Sequence, residues 1–171
     1  MNLDTNGTNF IKNHEGSCQL KAYTDVAGYL TVGWGHKVTP SDPVKNVGDT
    51  ITQAQADAFF TSDVSAAVNC VNGFPTIGKM SQTQFNALVD LFFNIGVNHS
   101  SDADIVNVIK NPNTYVLPPS EATLNSITTA FTYTMAGGVR VQGLVNRRND
   151  EIYQFMLGMI NTMFIPNYYI K

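Results

Sequence analysis

The chain has 171 residues, 43% of them hydrophobic, with 10 Lys plus Arg against 13 Asp plus Glu and a formal net charge of −3. This suits one compact domain or two small lobes sharing a core; the apolar share is too high and the charge too small for a disordered chain. A mildly acidic sequence without basic runs excludes sequence-independent nucleic-acid binding, which needs clustered Lys and Arg to neutralise phosphates.

The first thirteen residues are polar and lack the ~7–15-residue apolar stretch of a secretory signal, so the expectation is a chain that starts in the cytoplasm. Leu3, Phe10, Ile11 and His14 fall at helical spacing, and Gly16 is the kind of residue that closes a helix in the left-handed conformation, which puts Glu15 in the last turn. From 20 to 37 the period changes to two. Leu30, Val32, Trp34 and His36 then share one strand face, and Thr31, Gly33 and Gly35 leave the other nearly bare, as where a backbone or a ligand approaches closely.

Beyond a Pro- and Gly-containing loop at 40–48, Thr52 with Gln55 makes a capping box and Ile51 a hydrophobic staple, opening a helix over about 52–72. Ala58, Phe59, Ala66, Ala67 and Val71 give it apolar surface without a narrow stripe, and Asn72-Gly73-Phe74-Pro75 stops it. Ser81 with Gln84 repeats the box before Phe85, Leu88, Val89, Phe92 and Phe93, an amphipathic helix that ends at Gly96. A weaker helix spans 104–110, closed by Asn111-Pro112, and a loop covers 113–119. Ser120 caps a helix carrying Leu124, Ile127, Phe131 and Met135, which Gly137-Gly138 breaks. The last helix, about 144–163, turns Arg148, Ile152, Phe155, Met156, Met159 and Ile160 inward. The stretch 152–165 carries Gln154, Gly158, Asn161 and Thr162, and a span needs about 20 apolar residues, so no stable membrane insertion is expected. Cys18 and Cys70 lack metal-ligand spacing and read as two free thiols, a disulfide staying open for a protein that works outside the cytoplasm.

The chemistry lies early in the chain. Glu15 ends a helix, Asp25 enters a hairpin ten residues later, and Thr31 follows six further on beside two glycines. Cleaving a glycosidic bond takes one protonated carboxyl to donate to the leaving oxygen and one carboxylate to activate water or to stabilise positive charge on the sugar. A helix C-terminus and partial desolvation favour a protonated acid at Glu15, a polar turn favours an ionised Asp25, and the Thr31 hydroxyl can orient water.

The stretches His14-Glu15-Gly16, Leu20-Lys21-Ala22-Tyr23-Thr24-Asp25 and Gly28-Tyr29-Leu30-Thr31-Val32-Gly33-Trp34-Gly35-His36 resemble the active-site segment of phage-type lysozymes, the T4 lysozyme class of glycoside hydrolase family 24. Gln84 to Val89 with Phe93-Asn94-Ile95-Gly96 is similar to that family's central helix, and Gly137-Gly138, Gly143-Leu144 and Asn146-Arg147-Arg148 to its C-terminal signature. The resemblance implies an α+β, mostly helical fold: an N-lobe over about 15–60, a linking helix over 52–72, and a C-lobe over 73–171 on which the first helix packs. It implies a muramidase that cuts the β-1,4 bond between N-acetylmuramic acid and N-acetylglucosamine in bacterial peptidoglycan. Glu15 would be the acid, Asp25 the base or electrostatic partner, and Thr31 the residue positioning water, with inversion at the anomeric carbon. Gly35 and His36 match a supporting Gly-His pair, and either Arg147 or Arg148 would face Glu15.

The resemblance also implies a monomer without metal or organic cofactor. It would be made in a bacterial host and reach the wall through a holin-type pore as a phage endolysin. An antibacterial effector with an immunity protein, a chitinase and a non-catalytic wall-binding module are the competing readings. The Glu15 to Asp25 interval is one residue longer than is common in the family, with Ser17-Cys18 near the extra position, and a strand bulge is the device that absorbs such a residue.

Overall fold

A computed structural model describes residues 1–110 and 120–159. The expected loop at 113–119, the Asn111-Pro112 stop and the end of the last helix, with Ile160, lie outside these. The described chain is mostly helical with a small antiparallel sheet, and none of its helices is long and apolar enough to cross a membrane. It forms two compact units, one of Asn9–Ser65, the other of Met1–Thr8 and the described residues from Ala66 on.

The Asn9–Ser65 unit holds most of α1 (Thr5–Glu15), an antiparallel sheet in the order β1 (Gln19–Thr24), β2 (Leu30–Gly33), β3 (His36–Lys37), and the first part of α2 (Gln53–Asn72). Gly16, at φ 84, ends α1 in the expected left-handed conformation. The run from Leu30 to His36 is not one strand: β2 ends at Gly33 and the chain reverses through Trp34-Gly35. Gly33 and Gly35 both have positive φ, at 68 and 80, which L side chains rarely adopt, so the turn is written in the glycines that had read as a bare strand face. A Cβ at Gly33 would make only ordinary contact, 3.6 Å from Ala56 Cβ on α2, so the positive φ rather than crowding calls for glycine there.

The pairing of β1 with β2 is irregular ahead of Asp25. Tyr23 pairs with Thr31 and Thr24 with Leu30, whereas Gln19 pairs with Gly33, so the register shifts between Gln19 and Tyr23. Four steps along β1 are thus matched by two along β2, and the strand bulges between Gln19 and Tyr23. Its backbone groups find partners in the following loop: Ala22 N–H donates to Asp49 O at 2.8 Å, Gly48 N–H to Ala22 O at 2.9 Å and Ile51 N–H to Leu20 O at 2.9 Å.

Ala22, Val32, Val44, Ile51 and Ala56 form the core of this unit, with Leu30, Trp34 and Phe59 packed against it. Full burial of a side chain such as Val32 is worth about 1.5–3 kcal/mol. The Thr52 and Gln55 box is present, with Thr52 N–H on Gln55 Oε1 at 2.8 Å and Gln55 N–H on Thr52 Oγ1 at 3.2 Å. Contrary to the sequence reading, α2 does carry a narrow stripe: Ala56, Phe60, Val64, Ala67 and Val71 are buried while Ala58 and Ala66 are exposed. Alanines on both faces conceal the period, because a methyl group gives little sign of which side is inside.

In the other unit α3 (Gln82–Ile95) packs on α6 (Gln142–Leu157), and α4 (Ala103–Lys110) on α5 (Glu121–Ala130). Ser81 and Gln84 complete both halves of their capping box, and Gly96 closes α3. The helix is less amphipathic than its apolar residues imply, because every residue from Gln84 to Phe92 is buried, including Asn86 and Asp90. Phe131 and Phe155 meet at 5.8 Å between ring centroids. Ser120 caps α5 as expected, but the helix stops at Ala130. Met135 is exposed in β4 (Met135–Ala136), which pairs with β5 (Val139–Arg140). Gly137 and Gly138, with φ 57 and 79, are the two central residues of a tight hairpin rather than a helix breaker. Both cysteines are free thiols.

Candidate active site

Glu15 is the final residue of α1, three residues after Lys12. Lys12 anchors this end of the helix: Nζ reaches Asp57 Oδ1 on α2 at 2.6 Å and lies 3.7 Å from the centroid of the Trp34 ring and 5.0 Å from that of Phe60. An ammonium between a carboxylate and two aromatic faces fixes one helix end against its neighbours. Glu15 is partly buried, and a Cβ at position 35 would stand 3.9 Å from its Oε2. Gly35 thus leaves clearance beside the carboxyl group, and the structure brings these two sequence-predicted residues together.

Asp25 opens the turn between β1 and β2, and the turn is built around its carboxylate. Oδ1 accepts from Ala27 N–H at 2.9 Å and from Tyr29 N–H at 2.8 Å, while Asp25 N–H donates to Tyr29 O at 2.9 Å. Its pKa is lowered, first by the Tyr29 N–H and further by the Ala27 N–H, the charge of Lys37 and the Thr31 hydroxyl, against some desolvation. Thr31, 2% exposed on β2, also donates its hydroxyl to Tyr29 O at 3.1 Å. Asp25 and Thr31 therefore share one hydrogen-bonded corner.

His36 stands at the start of β3 with both ring nitrogens on carboxylates: Nδ1 is 2.9 Å from Asp63 Oδ2 and Nε2 is 3.2 Å from Asp42 Oδ2. Its ring stacks on Phe59 at 4.1 Å. This engagement fastens β3 to α2 and to the loop that follows, a supporting geometry.

Arg147 and Arg148 lie on α6, in the other unit. The Arg147 guanidinium grips Asp90 with Nε 3.2 Å from Oδ2 and Nη2 2.5 Å from Oδ1, while Arg148 Nη2 donates to Glu151 Oε1. Arg147 Nε is also 3.6 Å from Glu151 Oε1. Exposures of 6% for Arg147 and 0% for Arg148, Asp90 and Glu151 make this a buried ionic network. Burial pushes the Glu151 pKa well up, with the charge of Asp90 adding to it against the two arginines. Arg148 Nε and Nη1 and Glu151 Oε2 have no hydrogen-bond partner among the described residues. Sequence reasoning missed Asp90 and Glu151. The available signal was an aspartate inside the most apolar helix and a glutamate three residues after Arg148.

Within the Asn9–Ser65 unit the chain thus presents a carboxyl at a helix C-terminus and a carboxylate kept ionised by backbone donors, with a hydroxyl bonded into the same corner. That set can donate a proton, stabilise positive charge and orient water. Among the described residues no cluster of His, Cys, Asp or Glu is arranged to hold a metal ion.

A family model described as phage lysozyme matches residues 12–151. The endolysin of Lactococcus phage c2 is 34% identical over 157 residues, covering 91% of this chain and 60% of that protein. The solved endolysin of Escherichia coli O157:H7 phage FAHEc1 superposes with a TM-score of 0.70 at 30% identity, covering 91% of this chain and 94% of the other. The muramidase domain of SpmX from Asticaccaulis excentricus gives a TM-score of 0.65 at 26% identity, covering 91% and 97%. The chain spans about three fifths of the length of the curated relatives it matches.

Proposed function

The chain belongs to the phage lysozyme family, and from that premise we propose that it is a peptidoglycan muramidase that hydrolyses the β-1,4 bond from N-acetylmuramic acid to N-acetylglucosamine. The observation that carries the reading is the Asp25 corner, where Ala27 and Tyr29 N–H groups hold the carboxylate ionised and Thr31 is bonded to the same backbone. Glu15 gives its proton to the leaving glycosidic oxygen. Water, oriented by Thr31, attacks the anomeric carbon and yields its proton to Asp25, inverting the centre. Such a course places the two carboxyl groups roughly 6.5–9.5 Å apart, leaving room for the water.

Gly35 keeps space at Glu15 Oε2 and His36 holds the end of the hairpin, so both support the reaction without touching the reacting atoms. Arg147 and Arg148 are assigned supporting roles through Asp90 and Glu151. Residues 1–171 are proposed to work as one lysozyme-like catalytic domain, monomeric and without a cofactor. The relatives named as endolysins support lysis of a bacterial host as the setting, and passage to the wall through a holin-type pore is part of the proposal.

The test is digestion of purified peptidoglycan by wild type, Glu15→Gln and Asp25→Asn, with mass spectrometry of the fragments. Reducing-end muramic acid products from wild type, lost in Glu15→Gln, are expected. Anhydro-muramic products would make the protein a lytic transglycosylase, and wall binding without release would make it a binding module. The anomer first formed, read by proton NMR, tests inversion.

A further inference from the structure

Tyr29 engages each member of the Asp25 corner with a different part of itself. Its N–H donates to Asp25 Oδ1 at 2.8 Å, its carbonyl accepts from Asp25 N–H at 2.9 Å and from the Thr31 hydroxyl at 3.1 Å, and the Lys37 ammonium lies 4.1 Å from the centroid of its ring. Sheet register delivers that ammonium, because β3 pairs with β2 so that Lys37 stands directly opposite Thr31. A lysine on an exposed strand otherwise ranges over many rotamers, and the aromatic face narrows them. The chain is net negative, at −3, so a positive potential at this carboxylate has to be supplied locally.

We propose that Lys37 is a positioning residue for Asp25, a resident countercharge that the Tyr29 ring holds in place beside the carboxylate. The groups facing Asp25 are the Tyr29 and Ala27 N–H groups of its own turn, Lys37 from β3 and Thr31 from β2, while β1 places Tyr23 opposite Thr31. The Tyr29, Ala27, Lys37 and Thr31 groups all favour the ionised form, and Lys37 is the full charge among them. For hydrolysis, which is where this inference rests on the muramidase reading, the carboxylate is ionised before substrate arrives.

The experiment follows the Asp25 carboxyl carbon by NMR through an acid titration of the free protein, in wild type, Lys37→Met, Lys37→Arg and Tyr29→Leu. Lys37→Met is expected to raise the Asp25 midpoint by a few tenths of a pH unit at low ionic strength, an effect that shrinks in about 0.5 M salt. Lys37→Arg should titrate like wild type, and Tyr29→Leu should move part of the way toward Lys37→Met. An Asp25 midpoint unchanged in Lys37→Met, or moved equally by Lys37→Arg, overturns the proposal. The acid limb of kcat on soluble peptidoglycan fragments is then measured on the same proteins. A limb that follows the carboxyl supports both inferences, whereas a shifted carboxyl with an unmoved limb upholds Lys37 and sinks the catalytic role of Asp25.

Discussion

Replacing Glu151 by glutamine tests how the buried network of α3 and α6 carries its charge. Four ionisable side chains share a site from which water is excluded, and burial together with Asp90 drives Glu151 toward its protonated form. A protonated carboxyl still accepts from Arg148 through Oε1, and glutamine keeps its shape, with a carbonyl oxygen to accept and an NH2 to donate where the acid has its O–H. Glu151→Gln should therefore be nearly neutral at pH 5. Glu151→Ala, which strands Arg148 in the core, should cost about 3–5 kcal/mol. The folded pKa of Glu151 is raised above its unfolded value, so its favourable contribution is complete below about pH 4.3 and is lost as pH rises toward the folded value, at up to about 1.4 kcal/mol per pH unit. Urea unfolding of wild type, Glu151→Gln and Glu151→Ala from pH 4 to 8.5 reads all of this. The glutamine variant should gain on wild type as pH rises. A glutamine variant as unstable as the alanine one at pH 5, or a difference from wild type that shrinks with rising pH, would refute the reasoning.

Other outcomes follow from single contacts. Gly158→Ala should destabilise by about 1–3 kcal/mol in the same unfolding assay, because a Cβ there would stand 2.0 Å from Ser81 Oγ and 2.6 Å from Gln84 Cγ at the start of α3. Ser81→Ala should cost about 1 kcal/mol by removing the acceptor for Gln84 N–H, measured by urea midpoint at constant m. Gly35→Ala places a side chain at φ 80, a conformation that L residues rarely adopt, while its Cβ would make only ordinary contact at 3.9 Å from Glu15 Oε2, so thermal stability should fall. Asp25 is held below its ordinary value, so the stability it contributes is present above about pH 3.9 and is lost as pH falls through the folded value. Asp25→Asn should remove that acid-side dependence.

Local chemistry was the part of the fold that the sequence displayed. The two capping boxes, Thr52 with Gln55 and Ser81 with Gln84, and the stop at Gly16 each depend on residues within one turn, and each stands where its spacing puts it. Errors arose where a pattern had two physical readings. Glycines at 33 and 35 fit a bare strand face as well as a reversal, and Gly137-Gly138 fits a helix stop as well as a hairpin whose strands are too short to show alternation. For the candidate site, the turn chemistry of Asp25 was legible because its partners, Ala27 and Tyr29, are near neighbours in the chain. The carboxylates of Asp90 and Glu151 were not, because a charged residue looks solvated until tertiary packing encloses it.

The bulge inside β1 bears on how a change of chain length would reach Asp25. Tyr23 and Thr24 are in register with Thr31 and Leu30, whereas the strand upstream of them bends out to pair with the loop near Thr50. That excursion is itself fastened, through Leu20 and Ala22, to residues 48–51, so a residue inserted there should break those bonds, just as one inserted between Asp25 and Tyr29 should disturb the bonds that hold the carboxylate. The exposed link at Gly16-Ser17, between α1 and β1, is accordingly where a change of length should disturb Asp25 least.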